Sequence, residues 1–99
     1  MTVEQLEREF ALKTLHRSTI IILSPNDAVR FVERAHEEGF PVFGVDGFHL
    51  HGGQVQPDLQ YSVDFGRQDG AWSKAVEFIR KNEKRIDGFE VVLGKGRRL

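Results

Sequence analysis

Two histidines and an aspartate near the middle of the chain are the residues whose types and spacing first suggest chemistry. His49 and His51 stand two positions apart and follow Asp46. On an extended strand such histidines share one face, so they could form a metal pair, and zinc prefers imidazole nitrogens. The spacing fixes no third protein ligand, and histidines near a turn are more often surface hydrogen-bonding groups. We therefore expect no metal and no other cofactor.

An acid–base centre is the second chemistry that these residues suggest. Asp46, His49 and Asp64 supply the titratable groups that proton transfer needs. No nucleophile elbow, phosphate-binding loop or paired-carboxylate motif accompanies them. We expect no catalytic residues and no enzyme activity, and a metal-binding, hydrolase-like domain remains an alternative.

A short aromatic pattern offers a third possibility, an RNA-binding module. Tyr61-x-Val63-x-Phe65 is similar to the aromatic strand of RNA-recognition domains, on which bases stack. The basic and glycine residues that open that motif are absent, and Asp64 would repel phosphate. The pattern therefore favours core positions for these side chains, and the RNA-binding module stays an alternative.

An acidic and aromatic surface is the fourth candidate. Three of the 14 basic residues lie within the last five positions, so residues 1–94 carry 11 basic and all 15 acidic residues, a net charge of −4. The body of the protein is therefore acidic and its tail is basic. The surface comprises Asp46, Phe48 and His49 at a predicted Asp46-Gly47 turn, Asp58 after Pro57, and Gln60, Ser62 and Asp64 on one face of a strand.

Three helices are expected to position these residues. Apolar residues at helical spacing predict an amphipathic helix over residues 3–14. Ser24 as N-cap and Pro25 at the first helical position predict a second helix that ends near Gly39. Asp69 can cap a third helix, which continues to about Lys84.

Four strands are expected beside the helices. The continuous β-branched run at residues 19–23 predicts the centre of a sheet. Pro41 places a strand over residues 40–45 at an edge. Strict alternation predicts a strand over 59–65, and a last strand covers 89–93, whereas residues 50–57 are a loop or a hairpin arm.

This order of elements predicts an α+β fold, specifically the ferredoxin-like βαββαβ antiparallel sheet with an extra N-terminal helix. One domain would span residues 1–99, with a helical extension at 1–17, an α/β body at 18–94 and a basic tail at 95–99. The helices of the body would cover one sheet face, and the N-terminal helix or a partner protein would cover the other. The absence of cysteine, of a signal-like N-terminus and of an apolar span predicts a soluble cytoplasmic protein that contacts no membrane.

The chain also resembles the immunity proteins of colicin E (type five), inhibitors of a tRNA anticodon nuclease. The resemblance covers about residues 22–65 and is carried by Ser24-Pro25, Ala28, Ala35, Glu38-Gly39, Gly44-Val45-Asp46-Gly47-x-His49 and Tyr61-Ser62-Val63-Asp64. The N-terminal extension and the basic tail have no counterpart in it.

The resemblance implies an immunity protein that binds a cognate basic ribonuclease toxin domain one to one and blocks its RNA-binding cleft, without touching nucleic acid itself. In that role three carboxylates would mimic phosphates, namely Asp46, Asp58 and Asp64. Shape and hydrogen bonding would come from Phe48, His49, Gln60 and Tyr61. Tyr61 alternates with Val63, so whether it faces the core or the partner stays open.

Overall fold

The computed structural model describes residues 1–94, which form three helices and three strands. In chain order these are α1 (Val3–Ala11), α2 (Pro25–Glu37), β1 (Val42–His51), β2 (Gln54–Asp64), α3 (Ala71–Asn82) and β3 (Gly88–Leu93). The predicted basic tail lies outside the described residues. No helix in the described part is long and apolar enough to cross a membrane.

The three strands form one antiparallel sheet with β1 at its centre, β2 on one side and β3 on the other. Gly52 and Gly53 close the β1–β2 hairpin with left-handed backbone angles, φ 53° and 83°. Beyond β3 the sheet gains only one bridge within residues 1–94, in which Leu23 and Phe89 exchange two N–H···O hydrogen bonds of 2.8 Å.

The α+β class is confirmed, whereas the ferredoxin-like strand order is not. The prediction that residues 19–23 form the centre of the sheet is wrong, because only Leu23 pairs and it lies outside β3. The backbone of Ile22 is engaged elsewhere. Its carbonyl accepts the N–H of Leu15 at 2.7 Å, and its own N–H donates to the Thr14 hydroxyl at 3.0 Å. Ile22 is thus fully buried without belonging to a ladder.

The predicted edge strand at residues 40–45 is instead part of the central strand. Pro41 indicated an edge because proline cannot donate to a ladder. It precedes the first residue of β1, Val42, so its missing N–H removes no hydrogen bond from the sheet.

The predicted turn at Asp46-Gly47 is also wrong, since both residues lie in the middle of β1. The backbone of Gly47 is not left-handed. A Cβ atom at Gly47 would lie 2.9 Å from the Tyr61 carbonyl oxygen and 3.2 Å from Cγ2 of Ile86. Glycine is therefore required here by close approach and not by a turn conformation.

Helices α2 and α3 pack on one face of the sheet and enclose the main core. The N-terminus of α2 is as predicted, with Pro25 in the first turn and the Ser24 hydroxyl accepting the N–H of Asp27 at 3.3 Å. At α3 the predicted Asp69 cap is wrong. Gly70 occupies the cap position in a left-handed conformation, and no side chain caps the helix.

The predicted N-terminal helix is confirmed, although it ends at Ala11 and not at residue 14, and α1 packs against α2. The rings of Phe10 and Phe31 meet edge to face with centroids 5.1 Å apart. Arg34 bridges the same two helices through a 3.0 Å ion pair with Glu9. Because α1 joins the helical layer, it leaves much of the second sheet face uncovered.

Candidate functional site

The sheet has a packed face toward the helices and a second face away from them. Alternation along β1 sends Val45 into the main core and Asp46 to the second face. Asp46 pairs with Ser62 of β2 and with Glu90 of β3, so these three residues share the second face. The candidate site is built on this face.

One end of the second face is covered by the connection between α1 and α2. Leu15 and Ile22 lie over Gly88, where a Cβ atom would come within 3.0 Å of Leu15 and 2.6 Å of Ile22. Gly88 pairs with Phe48, which is only 7% exposed. Phe48, predicted as a contact with a partner, is thus enclosed by the chain itself.

The other end of the second face is open and forms a groove of about 410 Å³. Gly44 contributes no side chain, which leaves room between the neighbouring residues. Val92 is 39% exposed on the groove floor. The groove is lined by the apolar Phe43, Val63 and Val92, the charged Asp46, Asp64 and Arg67, and the glycines 44 and 66.

Negative charge is concentrated beside this groove. Asp46 and Glu90 face each other directly across β1 and β3, and both are half-buried. Burial raises the pKa of Glu90, and the charges of Asp46 and Glu7 raise it further. Within residues 1–94 the side-chain carboxylates of Asp46 and Glu90 have neither a hydrogen bond nor a cation as partner. The fold leaves this repulsion uncompensated.

Asp64 and Arg67 lie at the rim of the groove. Asp64 is exposed, and its Oδ1 accepts the N–H of Gly66 at 2.9 Å, which fixes the carboxylate at the end of β2 and leaves its second oxygen without a hydrogen bond in residues 1–94. Arg67 forms no ion pair within the described residues. With Asp46, Asp64 and Glu90 opposed by Arg67 alone, the groove is negative.

His49 and Asp58 form a separate cluster on the hairpin. Nε2 of His49 lies 2.8 Å from Oδ2 of Asp58, and Oδ1 of Asp58 accepts the N–H of Gln60 at 3.0 Å. The bond from His49, with a smaller contribution from Gln60, lowers the pKa of Asp58. The ring of His51 stacks on His49 with centroids 6.0 Å apart. Both Asp58 oxygens are thus already engaged within the protein.

The geometry does not assemble the metal or acid–base groups considered above. Asp46 and His49 are three positions apart on β1 and therefore project from opposite faces. Asp64 lines the groove and is likewise apart from His49. In the described part of the chain, no three histidine or carboxylate side chains are placed to hold a metal ion.

Gln60 and Tyr61 lie in an irregular part of β2. The pairing passes from Asp46–Ser62 to Gly47–Asp58, so residues 59–61 have no register partners in β1. Leu59 is 85% exposed and Gln60 is exposed, but neither lines the groove. Tyr61 packs against the main core.

Of the seven predicted contact residues, the structure brings only Asp46 and Asp64 into one groove. The sequence prediction missed Phe43, Glu90 and Val92. Glu90 carried a usable signal, since it is the one charged residue in the predicted strand 89–93 and such a residue marks the face away from the core. Phe43 and Val92 carried none, because only the sheet register brings them beside the carboxylates.

The surface that emerges is an apolar groove bordered by uncompensated carboxylates, on a sheet face that the helices do not cover. Such a surface is suited to binding a cationic partner. Comparison with known proteins adds no family assignment. A scan against models of protein families found no match to this chain, and a search of curated proteins found no significant relative.

Proposed function

We propose that this protein is an immunity protein, an inhibitor that binds a basic ribonuclease toxin domain and occludes its RNA-binding cleft. The observation that carries the proposal is the pair Asp46 and Glu90, two facing carboxylates with no cation beside them within residues 1–94. Like charges directly opposite each other destabilise a sheet. A cationic partner would relieve that repulsion, which supports a role in binding.

The charge of the body fits such a partner. A nuclease that grips RNA presents lysines and arginines to phosphates, and an acidic inhibitor can engage the same groups. Complementary charge also accelerates encounter, which favours an inhibitor that must act before its toxin cleaves RNA. The same carboxylates repel phosphate, so the proposed role involves no direct contact with nucleic acid.

The apolar floor of the groove supplies the second requirement of a stable interface. Protein–protein interfaces place a desolvated apolar centre inside a polar rim. Phe43 and Val92 offer such a centre, and Asp46 and Asp64 border it. On this basis one groove serves one toxin domain, in a one-to-one complex formed in the cytoplasm.

The proposal is tested with the small basic domain encoded by a neighbouring reading frame. We expect the two proteins to copurify one to one, and the complex to lose ribonuclease activity. Asp46→Asn and Asp64→Asn keep the side-chain shape and remove the charge, and each should weaken binding about tenfold or more, as for a charge-assisted hydrogen bond. Glu77→Gln, at an exposed site on α3, is the matched control and should bind normally.

Two results would contradict the proposal. One is a complex whose affinity is the same in both aspartate variants as in the Glu77→Gln control. The other is saturable, salt-dependent binding of single-stranded RNA by the protein alone, since that is the behaviour of an RNA-binding module.

A further inference from the structure

We infer that the group bound in the groove is an arginine side chain of the partner, with its guanidinium beside Asp46 and its methylenes along the apolar floor. This inference rests on the proposed function and specifies which residue of the nuclease domain is bound. It follows from the shape of the groove, the position of its carboxylates and the nature of its floor.

The sheet register sets the spacing of the acidic groups. Asp46 pairs with Ser62, and Asp64 stands two residues further along β2, so the two aspartates are diagonal neighbours. Diagonal neighbours across an antiparallel pair are about 7–8 Å apart, which leaves room for one planar cation between their carboxylates. Glu90, directly opposite Asp46, adds negative charge beside the groove. The field therefore draws a cation inward from the rim.

The floor favours guanidinium over ammonium. Phe43 and Val92 are apolar and partly exposed, and a group that lies on them must give up water. Guanidinium is planar and weakly hydrated, and it stacks on aromatic rings, whereas the lysine ammonium is compact and strongly hydrated. The methylenes of arginine also cover apolar surface while the charged end reaches a carboxylate.

The outer end of the groove is suited to an extended side chain entering from a partner. Asp64 is exposed there, and within residues 1–94 only one of its carboxylate oxygens is hydrogen-bonded, to the Gly66 N–H. Arg67 on the same rim repels a second cation. These features favour one arginine in the groove rather than a cluster of basic residues.

The test uses the full chain and two small probes, Nα-acetyl-arginine methyl ester and Nα-acetyl-lysine methyl ester, each with a single positive charge. Binding is followed by NMR chemical shifts at Asp46, Asp64 and Val92. We expect saturable binding of the arginine probe, about threefold tighter than that of the lysine probe, the preference that a ring–cation contact gives at an exposed site. Equal, non-saturating shifts for both probes would overturn the inference.

Two variants separate the contribution of the carboxylate to binding from that of the aromatic ring. Asp46→Asn should weaken the arginine probe about tenfold, whereas the Glu77→Gln control should not. Phe43→Leu keeps an apolar floor but removes the ring, so it should abolish the preference for arginine while leaving Asp46-dependent binding in place. An arginine preference unchanged in Phe43→Leu and Asp46→Asn alike would refute the assignment.

The inference and the proposed function fail separately. If the nuclease complex forms and depends on Asp46, but the arginine probe does not saturate, the inference is wrong and the proposed function stands. If no nuclease complex forms, while the arginine probe binds and requires Asp46 and Phe43, the proposed function is wrong and the guanidinium site stands.

Discussion

The two faces of the sheet are made by the same three strands, yet they differ in charge and in how far the helices cover them. On the packed face Val45 and Phe89 are fully buried among helical side chains. On the second face, one residue along in each strand, Asp46 and Glu90 oppose each other without a cation in the described part of the chain. Strand alternation thus places core packing and the proposed recognition surface at neighbouring positions. The following substitutions test how completely stability and recognition are separated.

Removal of a packed-face side chain should have the largest effect on stability. Phe89 is fully buried, its ring meets Phe78 at 6.3 Å, and its backbone carries the bridge to Leu23. Phe89→Ala should lower the free energy of unfolding by about 3–5 kcal/mol, measured by urea denaturation. Val92→Ala, on the open face of the same strand, should stay within about 0.5 kcal/mol. Similar losses in the two variants would show that the open face also supports the fold.

Addition of a methyl group within β1 should have the next largest effect. Gly47→Ala places a Cβ atom 2.9 Å from the Tyr61 carbonyl oxygen, a backbone group that cannot swing away. We expect a loss of about 1–3 kcal/mol in the free energy of unfolding. Gly52→Ser in the hairpin turn is an instructive comparison, because its cost comes from a left-handed backbone and not from a clash. A neutral Gly47→Ala would show that β2 can move away from β1 freely.

Neutralisation of Glu90, the carboxylate that faces Asp46 beside the groove, should change stability and binding in opposite directions. The pKa of Glu90 is raised in the folded protein above its ordinary value of 4.5, so the folded state binds the proton more tightly than the unfolded chain. Stability therefore falls as the pH rises from about 4.5 through the folded pKa, and the full penalty is present above it. Glu90→Gln should remove that penalty and, for a half-exposed pair, stabilise the protein by about 0.5 kcal/mol at neutral pH.

The same Glu90→Gln variant should bind the nuclease domain or the arginine probe less well. The stability gain should shrink toward zero in acid, where Glu90 is protonated in both states. Urea denaturation across a pH series together with binding titrations measures both effects. If Glu90→Gln is less stable at neutral pH, the repulsion across β1 and β3 is not a cost of the fold.

The hairpin cluster should give the smallest effect. The pKa of Asp58 lies below its ordinary value of 3.8 because His49 and the Gln60 N–H bind its carboxylate. The stability that these bonds to the Asp58 carboxylate contribute is present above pH 3.8, and it is lost as the pH falls through the pKa of Asp58 in the folded protein. In His49→Ala the Asp58 pKa should move back toward 3.8, as measured by carboxyl ¹³C NMR, with little change in partner affinity. An unmoved Asp58 pKa would assign the shift to the backbone.

The sequence was sufficient to predict the helices, because each amphipathic pattern and the Ser24-Pro25 start are local features. It was not sufficient for the strand order. The β-branched run at residues 19–23 meets the criteria for a central strand, but hydrogen bonds with Thr14 and Leu15 engage the backbone of Ile22 outside the sheet. Local composition could not reveal that these hydrogen bonds compete with strand pairing.

The candidate site was predicted only in part, and for a related reason. Asp46 and Asp64 were identified from their charge and from the resemblance, and the groove contains both. Glu90 and Val92 belong to a strand distant in the sequence, so their position depends on the register of β3 against β1. The Asp46-Gly47 dipeptide also gave a false turn signal, because Gly47 is demanded by close packing against β2.

The irregular strand β2 has a consequence for self-association. An exposed sheet edge is a template on which further copies of a chain can add as strands. Pro57 pairs with Phe48. The Phe48 carbonyl points to β3, where it accepts the Asp87 N–H at 3.1 Å. The nitrogen of Pro57 therefore faces the outer edge of the sheet, and it has no hydrogen to donate there. Residues 59–61 then break the regular ladder. A strand approaching this edge meets an interrupted row of donors, which protects the protein from fibril growth along the edge that borders its own groove.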